Sequence, residues 1–396
     1  TVRKERIDAA VIAALFLVHF IGDLYMAFIN PLLPVLAEKL SLSLAQVGLI
    51  TGTAMLTAFL IQPGVGYLAD RYRTRFFILG GPLLTAVFIP LFGWAGSLPV
   101  LLLFTALGSV GQSLFHPPAA GMVPAHAGRH LGLAMAVFIL GGTISYGLGP
   151  VLAAWYVSRF GLSALPWTGL PGLVIIAVLF WVVPRPAGER LKDLGFLGSV
   201  REVLGPVWKP LLILWIIIVF RVFVVQSFFT FSPMLLTRQG YHLVTVGGVI
   251  STFVLAGAIS TMVAGYLADR IGFKPVFFWS YLAATPCLIL FLWLQGPWLF
   301  LGSFLGGFFT LATLPLATAM AQTFVTKGQS LVASLTMGLA FGMGGLLAPL
   351  TGKLADIFTL RPVLCAVFVI PLLATSLIYQ LPEHIRNQPP AGQVAS

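Results

Sequence analysis

Few side chains in this sequence can do chemistry, and their spacing says what chemistry is open to them. The 396 residues hold eleven carboxylates; ten fall at the ends of apolar runs or between them, and Asp23 does not. It lies well inside a run that starts at Ala9, roughly 21 Å along it at the helical rise. A carboxyl in so dry a setting can be neutral in one state and charged in another, because burial penalises the charged form. That is what a proton-coupled process needs. His19 precedes Asp23 by four residues and projects from the same helix face. Such a pair can share or pass a proton, and His titrates near neutrality unaided; equally, His19 can simply hydrogen-bond a neighbouring helix. Arg221 is the one Lys or Arg well inside an apolar run. Its guanidinium needs a partner, with Asp23 one candidate and an anionic ligand held in a fork geometry another; a static ion pair is the plain alternative. His116 stands before Pro117 and Pro118, which remove two backbone donors and are expected to bend or break their helix. Freed carbonyls in a membrane segment need protein or a water-lined cavity beside them, so His116 either binds a ligand or packs there. Its place in its own run puts it on the order of 10 Å from Asp23 along the membrane normal, so the two need not touch. Gln62, Gln112, Tyr25, Tyr146, Gln226 and the Phe228–Phe229 pair could supply neutral hydrogen bonds and apolar walls to a cavity.

The elements that must position these residues follow from composition. Hydrophobic residues make up 59% of the chain and charged ones 8%, against about 25% charged in a soluble domain. Apolar runs of about twenty residues recur throughout, each long enough to cross a hydrocarbon core of ~30 Å, and runs apolar on every side cross it as helices. Twelve spans are expected, at about 9–37, 43–69, 75–95, 98–123, 131–160, 164–183, 209–236, 243–269, 274–295, 298–324, 329–357 and 361–381, giving an all-α, multi-pass membrane protein. With both termini cytoplasmic, sixteen of the 22 Lys and Arg fall inside and five outside, Arg221 being the remainder. This is the positive-inside asymmetry; it accounts for the net charge of +11 and excludes a nucleic-acid partner. The first apolar segment is too long for a signal sequence and is expected to remain as the first helix. Cys287 and Cys365 both lie in spans, so no disulfide framework is read. No metal cluster, nucleophile–base arrangement or phosphate-binding Gly-x-x-x-x-Gly-Lys-[Ser/Thr] loop stands in the sequence; neither enzymatic activity, a metal, a cofactor nor direct ATP drive is expected.

A repeat divides the chain. Gly66-Tyr67-Leu68-Ala69-Asp70-Arg71 recurs as Gly265-Tyr266-Leu267-Ala268-Asp269-Arg270 at an offset of 199, which also pairs Pro34 with Pro233, Gly48 with Gly247, Gly108 with Gly307 and Pro150 with Pro349. A duplicated six-helix unit predicts an N-terminal bundle at 1–183, a charged cytoplasmic linker at 184–208 and a C-terminal bundle at 209–396. Two such parallel halves are the architecture of major facilitator transporters. The run Gly66, Asp70, Arg71, Arg75 resembles that superfamily's loop signature, and Gly265, Asp269, Arg270 and Lys274 form its second copy. A Gly would let its helix approach a neighbour and the charges would pair at the cytoplasmic end, a conformational latch; topology anchoring by positive charge is the alternative.

Further stretches resemble the fosmidomycin resistance family within that superfamily: His19-Phe20-Ile21-Gly22-Asp23, Asn30-Pro31-Leu32-Leu33-Pro34, Gln62-Pro63-Gly64-Val65-Gly66, Phe115-His116-Pro117, Gly141-Gly142, Gly149-Pro150 and Gly342-Met343-Gly344-Gly345. Pro118 and Arg221 depart from it, standing where a member of that family has a carboxylate and a Lys. Ser145, Gly149 and Pro150 are also close to the Gly-Pro signature of drug–proton antiporters, although close helix packing explains them equally. The resemblance implies a bacterial inner-membrane antiporter: proton-driven efflux of a small polar or anionic molecule, as in resistance to a phosphonate antibiotic, by alternating access, in a monomer. Asp23 and His19 would couple protons; Arg221, His116, Gln62, Tyr25, Gln112, Tyr146 and Gln226 would meet the substrate. An uptake symporter for an organic acid or sugar, or a membrane sensor that transports nothing, remain alternatives.

Overall fold

The computed structural model describes residues 6–71, 75–128, 130–185, 207–313, 316–317, 320–321, 324 and 338–381. The ordered elements among these are all helical. The first expected span is two helices, α1 (Ala9–Met26) and α2 (Ile29–Leu40). Pro31 explains the joint: its ring clashes with the carbonyl four residues earlier, at Ala27, where the helix breaks. Six helices follow before the charged stretch or just after it: α3 (Leu44–Arg71), α4 (Phe76–Phe88), α5 (Leu98–His126), α6 (Leu131–Phe160), α7 (Gly169–Val182) and α8 (Trp208–Arg238). Then come α9 (Leu243–Ile271), α10 (Phe273–Phe291), α11 (Trp298–Leu311), α12 (Ala340–Leu346), α13 (Ala348–Phe358), α14 (Leu360–Phe368) and α15 (Ile370–Ile378). The breaks before α13 and α15 likewise precede prolines, Pro349 and Pro371.

Among the described residues, ten segments are long and apolar enough to cross a membrane. Helix α11 and the α12–α13 pair stand at the other two expected spans, consistent with twelve. The expected linker lies almost wholly outside the described residues, as does most of 314–337.

Helices from either side of the linker meet along two seams, α3 with α12 and α13, and α6 with α9. The repeat offset relates them. A Cβ built on Gly48 would lie 2.5 Å from the Ala348 carbonyl oxygen and 2.8 Å from Pro349 Cα; one on Gly247 would lie 2.6 Å from the Pro150 carbonyl oxygen. Gly48 and Pro349 are the counterparts of Gly247 and Pro150. Both contacts require glycine, since only a bare Cα lets backbones approach so closely. They fall near the starts of α3 and α9, so one end of the molecule, bearing the 41–43 and 239–242 turns, is closed. Towards the other end Gly64 and Gly265 face open space. Exposed tryptophans gather at both ends, Trp94, Trp155, Trp167, Trp293 and Trp298 at the closed one and Trp181, Trp208 and Trp279 at the other. This is the aromatic girdle of a membrane protein.

Candidate functional site

Asp23 is 3% exposed and sits where α1 packs between α5 and α6. Its Oδ2 lies 3.2 Å from His19 Nε2 and its Oδ1 lies 3.1 Å from His116 Nε2. Gln112 Nε2 donates to Asp23 Oδ1 (3.3 Å) and to Tyr146 Oη (2.8 Å). Phe138 fixes His19 from the far side: its carbonyl oxygen is 2.8 Å from His19 Nδ1. A carbonyl can only accept, so Nδ1 carries a hydrogen and Nε2 is the nitrogen presented to the carboxylate. Rings close the cluster. The imidazoles of His19 and His116 meet edge to face at 4.9 Å, and Phe138 and Phe115 cover them at 4.4 and 4.2 Å.

The fit depends on Gly142 of α6. A Cβ there would overlap His19 Nε2 and lie 2.9 Å from Asp23 Oδ2. A bare Cα at this point leaves room for the His19–Asp23 pair. A carboxylate at membrane depth is costly, and here hydrogen-bond partners meet that cost. The ligand-capable atoms of His19, Asp23 and His116 all lie within 4.8 Å of one another, and each imidazole reaches the carboxylate at hydrogen-bond length.

The structure gathers His19, Asp23, Gln112, His116 and Tyr146, and separates the other expected residues from them. His116 touches Asp23, against the depth read from helical rise: depth along each helix's own axis ignores tilt. Helix α5 is continuous through Pro117 and Pro118, so of the expected bend or break the break does not occur. Arg221 is buried at 3% exposure but is not among the partners of Asp23. Its Nε donates to the Thr310 carbonyl (3.0 Å) within electrostatic reach of Tyr281. That carbonyl, on α11, is a local partner the sequence could not reveal. Tyr25 turns towards α7, donating to the Thr168 carbonyl (2.8 Å) and accepting from Gly172 N–H (3.2 Å). Gln226 donates to Thr230 Oγ1 (3.1 Å), which donates to Thr51 Oγ1 of α3 (3.0 Å). Phe228 stacks on Phe253 at 4.0 Å within the apolar core. Gln62 is half-buried in α3 and takes no part in the bonds around Asp23.

Of the expected latch, Gly66 and the side chains of Asp70, Arg71 and Asp269 lie outside those described. Arg75 donates to the Phe180 carbonyl and lies over that residue's ring, and Arg270 lies over the Tyr266 ring at 4.4 Å. Among the described residues, nothing lies within 4 Å of a Cβ built on Gly265. The functional residues that sequence reasoning missed are Gly142 and the Phe138 carbonyl. A glycine opposite a His–Asp pair is the signal that could have found the first; a backbone carbonyl leaves none.

A family model described as Major Facilitator Superfamily matches residues 15–297 and 244–395. The fosmidomycin resistance protein of Escherichia coli (strain K12) is 28% identical over 389 residues, 96% of this chain and 95% of that protein. The MFS-type transporter YfnC of Bacillus subtilis (strain 168) is 28% identical over 386 residues, 92% and 91% of the two chains. Among solved structures, a bacterial homologue of the human lysosomal transporter Spinster, in an inward-facing and occupied conformation, superposes with a TM-score of 0.81 at 18% identity, covering 94% of this chain and 96% of that one.

Proposed function

The chain belongs to the major facilitator superfamily of membrane transporters, and from that premise we propose that it is a proton-coupled exporter of a small polar or anionic solute. The observation that carries the reading is the buried Asp23 carboxylate, bonded to His19, His116 and Gln112. Asp23 with His19 takes up the proton. His116 and the Gln112–Tyr146 pair bear on the same carboxylate, so a solute that draws either away changes the ease of protonating it. Arg221, buried in the second half, supplies the cationic counterpart for an anionic solute. Residues 1–183 and 209–396 rock as two bodies about the seams, joined by the 184–208 linker. With both termini in the cytoplasm of a bacterium and the chain in its inner membrane, the closed end faces out. Each monomer holds one complete pathway.

Export of an anionic phosphonate is supported by the name of the Escherichia coli relative. The test is fosmidomycin tolerance in a sensitive bacterium expressing the chain, beside Asp23→Asn and Arg221→Ala at equal membrane levels. Tolerance from the parent and from neither variant is expected. No tolerance from a well-inserted parent discards the phosphonate; tolerance retained by Asp23→Asn discards the coupling role.

A further inference from the structure

Helix α3 begins at the closed end with a cap of its own. Gln46 N–H donates to Ser43 Oγ (3.2 Å) and Ser43 N–H donates to Gln46 Oε1 (2.9 Å), the reciprocal capping box. This leaves the first two helical amides, of Leu44 and Ala45, with no partner inside their helix. Both find one across the seam. Leu44 N–H donates to Asp356 Oδ1 (2.9 Å) and Ala45 N–H donates to Asp356 Oδ2 (3.0 Å). Asp356 belongs to α13, 312 positions along the chain. Gly352, one turn earlier on α13, packs directly on the Leu44 backbone and so sets the carboxylate at a depth where it straddles the two amides.

The other seam has no such device. At the repeat offset Leu44 corresponds to Leu243 and Asp356 to Val157, and α9 starts after His242 with no side-chain cap bond. Two seams that share their glycine–proline contacts thus differ in one carboxylate.

We propose that Asp356 is the latch of the closed end, completing from the second half the N-cap of a first-half helix. The positive end of the α3 dipole favours the anion there. Parting the halves at this end separates the carboxylate from both amides, while the other seam parts without that loss. The latch depends neither on the solute nor on proton coupling, so it stands or falls apart from both.

The test is a distance measurement across the closed end. In a full-length chain with Cys287→Ala and Cys365→Ala, spin labels go on Ser163→Cys and Gln239→Cys, exposed positions of opposite halves, and pulsed EPR is read in nanodiscs. Asp356→Ala is expected to raise the ratio of separated to closed molecules roughly five-fold, the effect of losing a typical N-cap. Asp356→Asn, which keeps one acceptor oxygen, is expected to give a smaller rise, and it carries the test if the alanine variant does not insert. Val157→Ala, which removes packing but no cap, is expected to leave the parent distribution. An unchanged distribution in the Asp356 variants overturns the proposal. So does an equal shift from Val157→Ala, which would make the effect one of packing.

Discussion

Two imidazoles and one carboxamide converge on a single carboxylate, and each of these groups except His116 is also bound to something else: His19 to Phe138, Gln112 to Tyr146. The cluster is therefore held in place from outside Asp23. Asp23→Asn keeps nearly the same shape and removes the ionisable group. In proteoliposomes with a pH-sensitive dye, solute-driven proton movement is expected to fall to background while the protein inserts normally; persistent proton movement would take Asp23 out of the coupling step. Gly142→Ala probes the same pair without touching either member. Its methyl must displace His19 or push α6 away, an overpacking that costs about 1–3 kcal/mol. Misplacing a reacting pair by about an ångström costs up to ~100-fold, so transport is expected to drop 10- to 100-fold, alongside a lower melting temperature. An alanine variant with the parent's rate and stability would show that the pair has room to spare.

At the scale of the helix, α1 carries two kinds of residue on different faces. Asp23 lies on the face towards α5 and α6, whereas Tyr25, two residues on, is turned to α7 and ties its start to α1. Tyr25→Phe removes the phenolic oxygen that serves both bonds and leaves the Gly172 amide without this partner. A loss of about 1–3 kcal/mol is expected, seen as a lower melting temperature with an unchanged transport rate per folded molecule. A selective loss of transport would return Tyr25 to the pathway. The twelve spans were legible from apolar runs because a bilayer demands length and little else. The rotation of each helix was not: where every face is apolar, no periodicity tells which side meets the bilayer and which the protein. The expectation that groups Tyr25 and Gln226 with Asp23 therefore meets a structure in which their hydrogen bonds go elsewhere, while the His19–Asp23 pairing is present, because four-residue spacing fixes a shared face within one helix. Contacts between helices, such as His116 with Asp23, depend on tilt and kink, which leave no mark on spacing.

For the molecule as a whole, the seams decide what can move. Thr51 of α3 and Thr230 of α8 meet oxygen to oxygen at 3.0 Å, so cysteines at the two positions face one another. In a chain otherwise free of cysteine, Thr51→Cys with Thr230→Cys is expected to cross-link under mild oxidant, stop transport, and recover it on reduction; full transport by the cross-linked form would show that this end need not open. The separation of Arg221 from Asp23 belongs to this scale too, since which residues face each other across two halves depends on how the halves sit. The whole Asp23 cluster comes from the first copy of the repeat, and at the offset of 199 the second copy has Ile218, Val222, Leu311, Pro315 and Gly345 in place of His19, Asp23, Gln112, His116 and Tyr146. Among the described residues, the duplicated halves thus differ in what they bury, the first a carboxylate bonded to two imidazoles and the second the lone guanidinium of Arg221. Selection for a new cargo has a half in which to experiment without disturbing the engine, and a mutational library confined to residues 209–381 should yield altered resistance spectra more often than one confined to the first copy.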